Sequence, residues 1–201
     1  MASALATARQ VAQPPTPQTA PAPAGVPSVW VQRGRQGGWM VRGDAASSSA
    51  GSDLTSGPSH WYSADGALLR LDAGRVLGFT EPGRQWTTVN ALPRVDWHAV
   101  SAGAPLSFAR LVDEQPGYRL GQRWQRTLQA SAKGGPHHSP LVQALPPGSR
   151  WFMEHSPHQP QQGRFWYAVD MTLQPARVVY GQACVTPTLC LEWVAAPGTA
   201  L

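Results

Sequence analysis

Apolar and polar positions alternate with period two in short runs along most of the chain, each run broken by Gly, Asp or Pro. The stretch "WYSADGALLRLDAGRVLGFT", residues 61–80, shows this most clearly. Asp65-Gly66 reads as a two-residue hairpin turn, since both positions tolerate positive φ. That pairs Ala64 with Ala67, Tyr62 with Leu69 and His60 with Leu71. Asp72-Ala73-Gly74 reads as a three-residue turn, which sets Leu69 opposite Leu77 and Ala67 opposite Phe79. Tyr62, Ala64, Ala67, Leu69, Leu71, Leu77 and Phe79 then share a core face. Trp61, Ser63, Arg70 and Thr80 share the other, with Trp61 across from Arg70. The prediction is an antiparallel meander.

Further runs extend the pattern. "VWVQRGRQGGWMVR" (29–42) gives two strands around a Gly-rich turn, and weaker runs lie at 95–100, 106–112, 117–129 and 149–155. The stretch 119–130, "RLGQRWQRTLQA", fits helix and strand equally, because its alternation is imperfect. "RFWYAVD" places Phe165 and Tyr167 on one face and Trp166 on the other. In "ARVVYGQACVTPTLCLEWV" a five-residue loop at 185–189 sets Cys184 opposite Cys190, Gln182 opposite Glu192, and Trp193 over Gly181. Directly opposed strand positions bring Cβ atoms close enough for a disulfide, which would imply an oxidising compartment. Two buried thiols in a reducing compartment are the alternative. The fold class predicted is all-β, a curved antiparallel meander sheet or partly open barrel.

Residues 1–27, Pro/Ala/Thr-rich and without periodicity, read as a disordered tail or spacer, leaving residues 28–201 for a single β domain. A Ser/Gly-rich segment at 43–59 reads as a long surface loop. The N-terminal stretch has no apolar h-region and is not a signal peptide as written. A cytosolic chain, or one whose export signal has been removed, would both fit.

Composition sharpens this in three places. Apolar residues are 42% of 201 and charged residues 13%, enough to fill a core, while 20 Pro and 20 Gly argue for many connections and few long helices. The nine tryptophans need either a core or a binding surface. The net charge of +5 is carried by arginine, with Lys133 as the lone lysine. Its scattered placement reads as solvated surface, without the aromatic interleaving of a nucleic-acid module.

Candidate chemistry is sparse. His137, His138, Glu154, His155 and His158 are the natural metal-ligand types, but adjacent residues point to opposite faces of a strand, and Pro157 argues against a helix that would align His155 with His158. No G-x-S-x-G elbow or phosphate loop is present; "GRQGG" leads into a strand-like run. The expectation is no catalytic set, no cofactor and no metal. Trp61, Arg70 and Trp166 are left as candidate contacts for sugar rings or a protein partner.

Two segments, "WYSADGALLRLDAGRVLGFT" and "RFWYAVDMTLQPARVVYGQACVTPTLCLEWVAAP" (164–197), resemble the group 4 capsule polysaccharide lipoproteins of the YjbF/GfcB type, with "LVDEQPGYRLGQRWQ" (111–125) between them. The shared features are a Trp-containing Asp-Gly hairpin with a Gly-Arg-hydrophobic strand, and an aromatic-Trp strand with a return strand ending in x-Gln. The resemblance implies an outer-membrane lipoprotein on the periplasmic side, assisting capsule or exopolysaccharide export. Its partners would be polysaccharide or export-machinery proteins, and its membrane attachment a lipid anchor absent from this chain, which has no lipobox cysteine. It carries over no catalytic residues. The alternatives are a half-open barrel carrying a lipid, and a metal-dependent polysaccharide hydrolase in which His137, His138, His155 and Glu154 converge.

Overall fold

The computed structural model describes residues 16–17, 20–43, 57–136, 139–159, 163–186, 189–199 and 201. Most of the expected tail, most of the 43–59 loop, and His137 and His138 lie outside the described residues. The first four strands are β1 (Ser28–Arg33), β2 (Gln36–Arg42), β3 (Ser59–Tyr62) and β4 (Leu68–Asp72). β5 (Arg75–Glu81) and β6 (Arg84–Thr88) follow, then a short helix α1 (Trp97–Ser101). β7 (Leu106–Gln115), β8 (Arg119–Ala130) and β9 (Ser149–His155) continue the sheet, with a 3-10 turn at Pro140–Ala144 between the last two. β10 (Phe165–Asp170), β11 (Arg177–Thr186) and β12 (Leu189–Ala195) complete it.

Each strand pairs antiparallel with the next, and β1 pairs with β12, so the meander closes into a ring instead of ending in the open edges expected for a partly open barrel. Closure pairs every strand on both sides. Twelve strands around a circular axis would leave a wide lumen. Here the ring is uneven and its walls meet. A Cβ built on Gly74, in the β4–β5 turn, would lie 2.5 Å from Val178 of β11 on the opposite wall. The Trp193 indole N–H, from β12, donates to the Gly74 carbonyl at 3.2 Å. We call this the near end, the end at which β1 begins.

The C-terminal hairpin has the expected register. Gly181 pairs with Trp193, Gln182 with Glu192, Ala183 with Leu191 and Cys184 with Cys190, and the two cysteines are joined. Strand pairing runs further than expected, to Thr186 and Leu189. The Trp193 ring covers Gly181 so closely that a Cβ there would approach it to 2.0 Å. Because the disulfide closes a short loop inside an already paired hairpin, replacing both cysteines by serine should cost about 2 kcal/mol. Urea denaturation of oxidised wild type and the double variant measures it.

The β3–β4 hairpin differs from the expectation by one residue, and β4–β5 by one beside its turn and two beyond it. Trp61 pairs with Leu69, Tyr62 with Leu68 and His60 with Arg70. The turn after β3 spans three residues, Ala64-Asp65-Gly66. Ser63 N–H donates to the Ala67 carbonyl at 3.0 Å, Gly66 lies at φ 84, and the Ser63 hydroxyl accepts from Ala67 N–H at 2.8 Å. The next turn has two residues, Ala73 (φ 47) and Gly74 (φ 78), with Asp72 paired to Arg75. A one-residue slip exchanges faces. Trp61 therefore points inward and is fully buried, whereas Tyr62 is 45% exposed. Beside that turn Leu71 pairs with Val76, and a bulge at Leu77 then sets Leu69 opposite Phe79 in place of Leu77.

One other expectation is corrected and one open reading is settled. The run at 95–100 contains α1, because the Asp96 carboxylate caps it, accepting from His98 and Ala99 N–H at 3.0 Å each. α1 sits at the near end, and its Trp97 ring packs 4.9 Å from Phe152. The ambiguous 119–130 stretch is strand β8, with Trp124, Arg126 and Leu128 inward.

Tryptophan mostly builds the core. Trp61, Trp86, Trp97, Trp124 and Trp193 are buried inside the ring. Trp30 is buried on the outer face, within a row of laterally paired residues crossing β2, β1, β12, β11, β10 and β9: Trp39, Trp30, Val194, Tyr180, Ala168 and Trp151. Leu141, Val142 and Leu145, around the 3-10 turn, pack over this row. Trp39 also donates to the Ala20 carbonyl at 2.6 Å, which holds the segment before β1 against the sheet.

Candidate functional site

The interior holds a polar cluster assembled from six strands. Arg75 opens β5, Thr88 closes β6, Arg110 lies in β7, Arg126 in β8, Glu154 in β9 and Tyr167 in β10. Glu154 is fully buried, and four side-chain hydrogen bonds converge on its carboxylate. Arg110 forks onto it with Nε at 2.6 Å from Oε1 and one terminal nitrogen at 2.8 Å from Oε2. Arg126 Nε reaches Oε1 at 3.1 Å, Arg75 lies 3.5 Å from Oε2, and the Tyr167 hydroxyl donates to Oε2 at 3.3 Å.

Three guanidiniums against one carboxylate leave a surplus of positive charge out of water, which is costly unless other groups share it. Carbonyl groups do so: Arg110 donates to Val76 O at 2.7 Å, Arg75 to Pro93 O at 2.9 Å, and Arg126 to Glu154 O at 3.1 Å and Gly163 O at 3.2 Å. Aromatic faces take up more. The guanidinium carbons of Arg126 and Arg110 lie 4.6 and 5.1 Å from the Phe165 centroid, and that of Arg75 lies 4.9 Å from Phe108.

Burial by itself would push the Glu154 carboxyl up, but Arg110, Arg126 and then Arg75 hold it well below the usual carboxylate range. Burial, and next the Glu154 carboxylate, raise the Tyr167 phenol, which stays protonated and donates. The cluster can hold charge and lock six strands in register. With its carboxylate already saturated, Glu154 is not presented to a metal.

Of the residues that the metal-dependent alternative would bring together, His137 and His138 lie outside the described residues, and His155 does not join Glu154. Glu154 points inward, and His155 follows it on the opposite face of β9, where burial and then Arg126 and Arg164 lower its pKa. No group of three His, Cys, Asp or Glu able to hold a metal occurs among the described residues.

The three candidate contact residues do not form one surface. Trp61 is inside the ring, its indole N–H donating to Ser59 Oγ at 2.8 Å, and the guanidinium near its ring is that of Arg42, 6.0 Å from the centroid. Arg70 remains outward on β4 and reaches Thr87 Oγ1 at 3.4 Å. Trp166 is outward and half-buried on β10, with Phe165 and Tyr167 inward as expected. β4 and β10 stand six strands apart in a ring of twelve, so Arg70 and Trp166 lie on opposite walls.

The buried cluster escaped the sequence reading because an inward charge looks like a surface residue. A signal was present: Phe108-Arg110-Val112, Trp124-Arg126-Leu128 and Phe152-Glu154 each place a charge in phase with apolar positions.

The chain shares its fold with the hypothetical lipoprotein YmcC from Escherichia coli (K12), whose crystal structure superimposes with a TM-score of 0.58. The two are 14% identical, and the match covers 88% of this chain and 86% of that one. No protein-family model matches the sequence, and no curated protein matches it. The chain is thus similar in fold, over most of its length, to a hypothetical lipoprotein of the bacterium Escherichia coli.

Proposed function

We propose that the protein is a non-enzymatic accessory lipoprotein of capsule or exopolysaccharide export, working on the periplasmic side of the bacterial outer membrane. The observation that carries this is the likeness in fold, over most of the chain, to YmcC, itself described as a hypothetical lipoprotein. The likeness agrees with the motif resemblance of residues 61–80 and 164–197 to capsule lipoproteins. The disulfide fits an oxidising compartment. A rigid, charge-locked ring suits a scaffold that polysaccharide or an export protein contacts from outside.

The lipid-carrier alternative requires an interior able to take an acyl chain. Trp61, Trp86, Trp193, Tyr167, Phe152 and the arginine cluster occupy that interior, so the ring has little in common with a hollow carrier. Deleting the gene and quantifying surface and periplasmic polysaccharide tests the proposal. Surface polysaccharide should fall severalfold while the material accumulates inside the envelope; unchanged surface polysaccharide would refute it.

A further inference from the structure

Closure of the ring leaves one stretch of sheet edge bare. β8 has 12 residues, and only the last four, Thr127–Ala130, pair with β9. From Arg119 to Arg126 its strand partners lie on β7 alone. The cause is legible in the chain. The register that sets Thr127 against His155 would set Gln125 against Pro157, which has no N–H to donate, and β9 ends at His155. β8 therefore runs on past its neighbour, away from the near end.

The direction of the free peptide groups follows from the same register. Ser131 N–H donates to the Trp151 carbonyl at 2.8 Å, so the odd-numbered residues of β8 turn their peptide groups toward β9. Beyond Thr127 these are Gln125 and Arg123. Both residues are exposed, and among the described residues no turn or loop bonds to their backbone. Gly121, next in phase, is diverted, its N–H donating to Asp113 Oδ1 at 2.7 Å. Two N–H donors and two carbonyl acceptors thus stand in line facing solvent.

We propose that this edge is a strand-addition site, at which an extended acidic segment of another protein pairs antiparallel with β8 in the place that β9 vacates. Main-chain hydrogen bonds supply the attachment in such a mode, and side chains on alternate residues select the partner. Of the outward residues here, Arg119 is held by Glu114 at 2.6 Å. Arg123 makes no ion pair among the described residues. The fitting segment carries a carboxylate opposite Arg123. Its alternate residues turn to the inner face, beside Trp124 of the core, where an apolar side chain belongs. At the tip, Tyr118 and Leu120 are 79% and 64% exposed and offer further apolar surface to a strand running on past Arg123.

A second copy of this chain is a poor occupant. In either register that uses both free positions, two Arg123 guanidiniums would stand directly or diagonally across from each other, and like charges so placed repel. The site is argued from backbone and charge, and does not depend on the export reading.

The test uses the full chain and two synthetic peptides of about seven residues, the length of an ordinary strand. One alternates Val and Glu, the other Val and Lys. Calorimetric titration should show saturable binding of the Val/Glu peptide and little of the other. Amide exchange followed by NMR should be fast at Arg123 and Gln125 in the free chain and slow once peptide is added. Alternate N-methylation of the peptide separates strand pairing from charge alone: methyls in the phase facing β8 should abolish binding, and methyls in the other phase should leave it unchanged. Arg123→Ala should weaken binding about threefold, the size of one cross-strand ion pair. Arg123→Glu should reverse the order of the two peptides while leaving the unfolding midpoint near that of wild type. No saturable binding, equal binding of both methylated forms, or slow exchange at the two amides in the free chain would overturn the proposal. Dimerisation that slows those amides would put a second copy in the partner's place and overturn it too.

Discussion

Glu154→Gln should lower the free energy of unfolding by about 3–5 kcal/mol, the range found when one partner of a buried ion pair is removed. The amide is nearly isosteric, so no cavity opens and the loss reports charge. Arg110 and Arg126 would then face each other, with Arg75 beside them, without the carboxylate that all three approach. Urea denaturation at pH 7 measures it, and a loss under about 1 kcal/mol, the size of an exposed pair, would show that the cluster is not a stabilising lock. A pH dependence accompanies the charge. The folded Glu154 carboxyl lies below its unfolded value, so its contribution is complete above the ordinary glutamate range near ~4.3 and drains away as pH falls below it. Wild type should lose stability steeply under about pH 4, and Glu154→Gln should lack that part of the slope.

Trp193→Ala should cost a similar amount, about 3–5 kcal/mol, by emptying the space over Gly181 and releasing the opposite wall at Gly74. Trp193→Phe separates the two contributions. It retains most of the apolar filling but leaves the Gly74 carbonyl without its indole donor, so a loss of about 1–3 kcal/mol is expected. Trp166→Ala, at a half-buried outward position, is the comparison and should cost clearly less. Thermal and chemical unfolding of the three variants decide the matter; equal losses at residues 193 and 166 would contradict the assignment of inner and outer faces.

These predictions draw on features that were unequally visible in the sequence. The C-terminal hairpin was legible in detail, because a short loop, a glycine and a facing tryptophan admit one alignment. The β3–β4 hairpin was legible as a hairpin but not in register. The Ser63 hydroxyl binds Ala67 and converts an apparent two-residue Asp-Gly turn into a three-residue one, and a single slip carried Trp61 from outside to inside. Helix α1 was hidden by its shortness, with only the Asp96 cap marking it. Ring closure is a pairing of the two outermost strands, set by the accumulated twist and stagger of all twelve, and no local pattern encodes it.

The position of β1 ties two parts of the surface together. Ser28 begins β1 at the near end, whereas Ala20 is held by Trp39 midway along β2, on the outer wall. The segment joining them therefore lies against the outside of the ring, as a strap lies against a cask.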